Sequence, residues 1–136
     1  MSMKKSILLL LAVMIAVTVF SVVSGGGNSM DIQMDADAIS FSGIEDFRYR
    51  LSYADITELR MESVADWSQY GGDEFGHFRA GVVSAPGSSA QIVFVTTQID
   101  LAIIASLRDG SQMIFNYNNS SGTQGIYEML LENLQS

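Results

Sequence analysis

Apolar and polar residues alternate along most of the chain after residue 30, as they do in β-strands that bury one face. The clearest case is segment 47–51, where three apolar side chains are separated by two arginines. Turn-forming residues interrupt the apolar stretches, and Asp109-Gly110 is a typical hairpin turn. Seven strands are predicted, over residues 32–41 (irregular at 35–37), 47–51, 56–61, 78–83, 91–97, 100–107 and 113–117.

The last segment of the chain changes to a helical period. Loop 118–123 supplies several residues that can cap a helix. After this loop, apolar residues recur at steps of three and four, at Ile126, Tyr127, Leu130, Leu131 and Leu134. We therefore predict one amphipathic helix of about 12 residues, whose apolar stripe packs against a sheet.

The first 24 residues form a separate hydrophobic segment. Lys4 and Lys5 precede an uncharged, mostly apolar stretch at 6–23, which spans about 27 Å as a helix. Two interpretations stay open: an uncleaved signal-anchor that crosses the cell membrane once, or a signal peptide cleaved near Gly25, which would release a secreted domain. Both place the remainder outside the cytoplasm. We predict a signal-anchor or signal peptide at 1–24, a flexible Gly-rich tether at 25–30 and one folded domain at 31–136.

Charge and composition exclude several classes of function. Beyond residue 30, five arginines stand against fifteen acidic residues, which gives this part of the chain a net charge of −10. Such a charge opposes binding to nucleic acid and to anionic lipid. The chain has no cysteine and one histidine, so disulfides, thiolate metal sites and multi-histidine sites are excluded. We predict no cofactor and no metal.

Short stretches of the sequence resemble the bacterial pleckstrin-homology family of small membrane-anchored proteins. The matching stretches are 41–43, 53–56, 76–79, the hairpin at 103–116, and Thr123 with Tyr127 and Leu130. Together they span roughly residues 31–134. The resemblance implies an all-β, PH-like barrel of about seven antiparallel strands, capped by one C-terminal α-helix and preceded by the N-terminal hydrophobic helix.

Phosphoinositide binding, which the fold name suggests, is not expected of this chain. In eukaryotic relatives, basic residues around the first hairpin loop hold the phosphates. The matching loop here is 42–46, and it carries Glu45 and Asp46 where phosphate would need cations. We therefore predict no phosphoinositide ligand.

Candidate catalytic and metal-binding residues are few. A general base needs a nucleophile within hydrogen-bond reach, and no G-x-S-x-G motif accompanies His77. The spacing of Asp66, Asp73 and Glu74 matches no EF-hand loop, so a solvated acidic loop is the simpler interpretation. The prediction is that the protein is not an enzyme.

Four aromatic residues fall within twelve positions: Trp67, Tyr70, Phe75 and Phe78. Large apolar side chains in a loop often mark a contact surface, so these four are the candidate binding residues. They could instead cover the open end of the barrel or line a small-ligand cleft, and an open sheet edge is an alternative site.

From these features we predict a membrane-tethered, extracytoplasmic domain that mediates protein–protein contact or scaffolding with an unknown protein partner. The alternative is a secreted or periplasmic carrier of a small apolar ligand, which a cavity inside the barrel would favour.

Overall fold

The computed structural model describes residues 27–84 and 89–135, so the predicted hydrophobic segment at 1–24 lies outside the described residues. Nine strands and one C-terminal α-helix are found in the described part of the chain. The mostly-β prediction with a terminal helix is confirmed, but the predicted number of seven strands is too low. No helix among the described residues is both long and apolar enough to span a bilayer. The chain divides into two compact units, Met1–Ala54 with Glu128–Ser136, and Asp55–Tyr127.

The first unit contains an antiparallel three-stranded sheet of β1 (Asp31–Met34), β2 (Ala38–Ser42) and β3 (Arg48–Ser52), in that order. Side chains alternate between its two faces, as the sequence pattern predicts. The buried face carries only hydrophobic residues and the other face only polar ones apart from Ala38. The fully buried side chains of this sheet include Ile32, Ile39, Phe41 and Leu51.

The predicted irregularity at 35–37 is a hairpin turn, so one predicted strand is two. The Asp35 carboxylate accepts hydrogen bonds from the amides of Asp37 and Ala38, both at 2.8 Å. The buried Tyr53 donates its hydroxyl proton to the Asp35 carbonyl at 2.8 Å. An aspartate that bonds to the backbone two and three residues on produces a turn without glycine or proline.

We expect the Asp35 turn to make stability depend on pH. Hydrogen bonding from the Asp37 amide, with Arg50 and the Ala38 amide, lowers the pKa of Asp35. A carboxyl with a lowered pKa stabilises the fold above its unfolded pKa, about 3.9, and loses that contribution as pH falls through the folded-state pKa. Asp35→Asn should therefore lower stability by less than about 1 kcal/mol at pH 7. Urea titrations at pH 7 and pH 3 should show this difference shrinking, and a constant difference would contradict the assignment.

The turn between β2 and β3 covers residues 43–47, one residue later than the predicted 42–46, and it holds the residues that precede β1. Gly43 has a φ of +102°, and its carbonyl accepts the Ser29 amide at 2.9 Å. The Glu45 amide donates to the Asn28 side-chain oxygen at 2.8 Å. Ser29 and Met30 are buried. The folded part of the chain therefore includes Asn28 to Met30, which the sequence assigns to the tether.

The second unit is built on a six-stranded sheet with the order β4-β8-β9-β7-β6-β5. Its strands are β4 (Ile56–Ser63), β5 (Asp73–Phe75), β6 (Phe78–Val83), β7 (Gln91–Thr96), β8 (Leu101–Leu107) and β9 (Gln112–Phe115). Short 3-10 helices occupy Tyr53–Asp55 and Trp67–Gln69. Strand β5 lies between the predicted strands at 56–61 and 78–83. Together with the division of the first predicted strand into β1 and β2, it accounts for the two strands that the sequence pattern does not reveal.

One pair of strands contradicts the prediction that all strands are antiparallel. Strand β9 lies between β8 and β7, antiparallel to β8 and parallel to β7. The consecutive strands β7 and β8 are therefore not neighbours. This arrangement differs from the antiparallel barrel that the family resemblance implies. Alternation of side chains is the same in parallel and antiparallel strands, so periodicity does not distinguish them.

The predicted β8–β9 hairpin is confirmed. The Leu107 amide donates to the Ser111 carbonyl at 2.9 Å, and Gly110 has a φ of +89°. The Asp109 carboxylate accepts the Ser111 amide at 2.8 Å, which lowers the pKa of Asp109. Three loop residues with a left-handed glycine at the end form a common hairpin connection.

Beyond β9, the buried side chain of Asn116 bonds to both neighbouring strands. Its oxygen accepts the Thr96 amide at 2.8 Å, and its NH2 group donates to the carbonyls of Thr96 and Leu101 at 3.0 and 3.1 Å. The side-chain amide of Asn116 thus hydrogen-bonds to the neighbouring strands as a backbone peptide group would, just beyond the end of β9. Its polar atoms are satisfied even though the residue is fully buried.

The C-terminal helix α1 covers Ser120–Gln135, 16 residues, and so is longer than predicted. Asn119 precedes it and accepts the Gly122 amide at 2.6 Å, the usual side-chain cap. The hydroxyl of the buried Thr123 accepts the Tyr117 amide and donates to the Asn119 carbonyl, both at 2.9 Å. Ile126 and Leu130 are fully buried, which confirms the predicted apolar stripe.

Candidate binding surface at Trp67

The loop between β4 and β5 is anchored by Trp67, which the sequence proposed as a binding residue. Trp67 is 9% exposed and belongs to a core cluster with Val64, Val93, Val95, Ala102, Ile104 and Ile114. Its indole N–H donates to the Ile99 carbonyl at 2.9 Å. A buried indole needs such a partner. Trp67 is therefore a core residue. Only a small part of its side chain is exposed, so it is not a freely exposed contact residue.

The chain before Trp67 is shaped by local hydrogen bonds. The Asp66 carboxylate accepts the Ser68 amide at 3.0 Å and the Ser68 hydroxyl at 2.8 Å, which caps the 3-10 helix. These bonds lower the pKa of Asp66. Asp66, one of the three acidic residues that the sequence groups with Asp73 and Glu74, thus has a structural role in the loop.

Tyr70, the second predicted binding residue, packs against the same cluster. Its ring centroid lies 6.0 Å from that of Trp67, with the planes tilted by 49°. Partial burial raises the pKa of Tyr70. Tyr70 is half-buried, so part of its ring remains available to a partner.

Phe75 and Phe78, the other two predicted residues, form a separate pair. They face each other across β5 and β6. Phe78 is 5% exposed, whereas Phe75 is half-buried. Among the described residues, no ring contact joins this pair to Trp67 and Tyr70. The four aromatics are thus not exposed together as one patch, because two of them are core residues.

An open groove lies beside Trp67. Its volume is about 520 Å³, and we call it the Trp67 groove. It is lined by Val64, Ala65 and Trp67, by the β7–β8 turn at residues 97–100, and by Ser120 at the start of α1. The sequence did not indicate the turn or Ser120, because nothing in the pattern shows that they meet Trp67.

The far end of the loop is held by Arg79 on β6. Its guanidinium pairs with Glu74 at 2.6 Å and donates to the carbonyls of Tyr70 and Gly72 at 3.5 and 3.4 Å. The Gly71 amide donates to the Gln91 side chain at 3.0 Å. These bonds connect the loop to β6 and β7, so the aromatic loop has a defined position on the sheet.

The open-edge alternative finds little support at β4, the long edge strand of the six-stranded sheet. Arg60 on this strand pairs with Glu62 at 2.7 Å and Glu58 at 3.4 Å. The strand also has a register shift between Ile56 and Glu58. Charged side chains and bulges are the usual protection of an edge against additional strands.

His77 lies next to Phe78, with ring centroids 4.2 Å apart. Among the described residues, no serine or carboxylate hydrogen-bonds to the exposed imidazole of His77. No group of three metal-ligating side chains occurs in residues 27–84 and 89–135.

The fold and the groove define a β-rich domain with a terminal helix and a mixed polar and apolar recess. Comparisons with protein-family models, curated proteins and solved structures found no match to the chain.

Proposed function

We propose that this protein is a non-enzymatic, PH-like domain, tethered to the outer face of the cell membrane, that contacts another protein through the Trp67 groove. The hydrophobic segment at 6–23 and the two preceding lysines support the tether and the orientation. The strand-rich order with a terminal helix supports the family proposal, although the parallel β7–β9 pair departs from it.

The observation that carries this function is the chemistry of the groove lining. The apolar side is fixed by Trp67 and Val64, which belong to the core. The β7–β8 turn adds the polar residues Thr97, Gln98 and Asp100 to the lining, and of these Gln98 and Asp100 are exposed. A peptide segment presents both apolar side chains and hydrogen-bonding groups, so it matches such a lining. An apolar carrier would instead enclose its ligand in a mostly apolar cavity.

Site-specific photocrosslinking in the native membrane tests this contact. The full-length chain would carry p-benzoylphenylalanine in place of the exposed Gln98, and a matched control would carry it at the exposed Thr57 on β4. We expect a defined protein adduct from position 98 that is absent from position 57. Ala65→Arg, which adds a long side chain to the exposed rim of the groove, should reduce the adduct at least fivefold. Equal adducts from both positions, or an adduct unaffected by Ala65→Arg, would contradict the proposal.

The carrier alternative gives a different result in solution. Trp67 is the only tryptophan of the chain, so its fluorescence reports on this groove. A saturable shift of its emission on titration with decanol, without any adduct from position 98, would favour the carrier over the contact function.

A further inference from the structure

The polar face of the three-stranded sheet forms a second groove, separate from the one at Trp67. The middle strand β2 presents two small side chains, Ser40 and Ser42, on this face. Ser40 lies opposite Gln33 on β1 and Arg50 on β3, and Ser42 lies opposite Asp31 and Arg48. Short side chains between longer ones leave a depression. Its volume is about 410 Å³, and we call it the serine groove.

The groove contains hydrogen-bonding groups that the described residues do not use. The hydroxyls of Ser40 and Ser42 and the guanidinium of Arg48 have no hydrogen-bond partner among the described side chains. Arg50 shares its guanidinium with Asp35 at 3.0 Å. Arg60 and Arg79, by contrast, are held by glutamates. Arg48 thus has no ion-pair partner among the described residues, and it belongs to a part of the chain with a net charge of −10.

The two sides of the groove differ in charge. Arg48 and Arg50 on β3 form one side, and the uncharged Gln33 on β1 forms the other, two strands away. A guanidinium binds a carboxylate through two parallel hydrogen bonds. The side-chain amide of Gln33 accepts hydrogen bonds from hydroxyl groups through its oxygen and donates to them through its NH2 group. A ligand that satisfies both sides therefore has an acid at one end and hydroxyls at the other.

We propose that the serine groove binds a hydroxylated monocarboxylate of the sugar-acid class, with the carboxylate on Arg48 and the hydroxyls on Ser40, Ser42 and Gln33. The net charge of −10 selects against ligands with several charges, because each additional negative charge is repelled by the whole domain. Among anions, a planar carboxylate with one charge has the least repulsion and can still pair with the Arg48 guanidinium. This site is independent of the Trp67 groove and lies in the other unit.

Titration of the full-length chain with glucuronate tests the site. The protein would be kept in a polyoxyethylene detergent, which has no sugar headgroup to compete. Backbone amide shifts of residues 31–52 would be followed by NMR with glucuronate, with glucose as the uncharged control and with acetate as the acid without hydroxyls. We expect saturable shifts with glucuronate, and binding of glucose and acetate that is about tenfold weaker or more, because each lacks one set of contacts.

Three variants make the assignment specific. Arg48→Gln should weaken glucuronate binding about tenfold. Asp35→Asn frees Arg50 from its ion pair and should strengthen binding. Arg60→Gln makes the same change of net charge on β4 and should leave binding unchanged. Equal affinities for acetate and glucuronate, an equal loss in Arg48→Gln and Arg60→Gln, or no saturable shift at residues 31–52 would each overturn the proposal. None of these results depends on the photocrosslinking from Gln98.

Discussion

Asn116→Asp should lower the free energy of unfolding by about 3–5 kcal/mol at pH 7, the loss expected when a buried charge lacks a partner. The substitution preserves the shape of the side chain but replaces the NH2 group with a carboxylate oxygen. This oxygen would face the carbonyls of Thr96 and Leu101, which now accept the two amide protons at 3.0 and 3.1 Å. Urea denaturation followed by the fluorescence of Trp67, in the same unit, measures the loss.

The introduced carboxyl also gives this prediction a pH signature. Burial and the two carbonyls disfavour the charged form, so its folded-state pKa should lie above the unfolded value of about 3.9. The penalty is then largest above the folded-state pKa and shrinks as pH falls toward 4. Asn118→Asp, the same exchange at a half-buried position two residues on, should change stability by less than about 0.5 kcal/mol. Similar losses at the two positions would show that the Asn116 bonds are not the cause.

Gly43→Ala should cost about 2–4 kcal/mol, because backbone strain and a steric clash add at this position. Gly43 has a φ of +102°, which side chains rarely adopt. An added methyl group would lie 2.5 Å from the Ser29 carbonyl oxygen and 2.9 Å from the Asp31 carboxylate. Thermal unfolding followed by far-UV circular dichroism measures the loss, and faster hydrogen exchange of the Ser29 amide would locate it.

Gly76→Ala separates the two contributions. Gly76 also has a positive φ, +65°, but an added methyl group has no neighbour within 4 Å. Only the strain remains, so this variant should lose about 1 kcal/mol. If Gly43→Ala lost no more than Gly76→Ala, the close approach of Ser29 to the turn would have no energetic importance.

The sequence predicted strands best where side chains alternate between core and solvent. Strand β6 has the predicted bounds, and β3 differs from its prediction by one residue at each end. The β1–β2 hairpin was missed because its turn depends on hydrogen bonds from the Asp35 carboxylate instead of on glycine. The parallel β7–β9 pair was missed because strand order depends on contacts between distant segments, which periodicity does not record.

The candidate site was predicted only in part. Trp67 lines the candidate groove, but the clustering of four aromatic residues in the sequence does not show that Trp67 and Phe78 are core residues. An aromatic residue in a loop can fold back onto the sheet, as Trp67 does through its bond to Ile99. In the sequence, the arginines of the serine groove, Arg48 and Arg50, closely follow the acidic residues Glu45 and Asp46. The cross-strand register, which places Ser40 and Ser42 beside these arginines, is a property of the folded sheet.

The position of β9 between β7 and β8 also has a consequence for biosynthesis. Strand β7 contains four consecutive buried hydrophobic residues, Ile92 to Val95, and its second edge is covered only by β9. Since Gln91 pairs with Gln112, the ribosome must add the intervening residues first, which takes about one to four seconds at ordinary translation rates. During that interval, the β7 edge that β9 later covers is unpaired, and the apolar side chains of β7 are exposed on the nascent chain. Chaperone protection during synthesis would matter most at this stage.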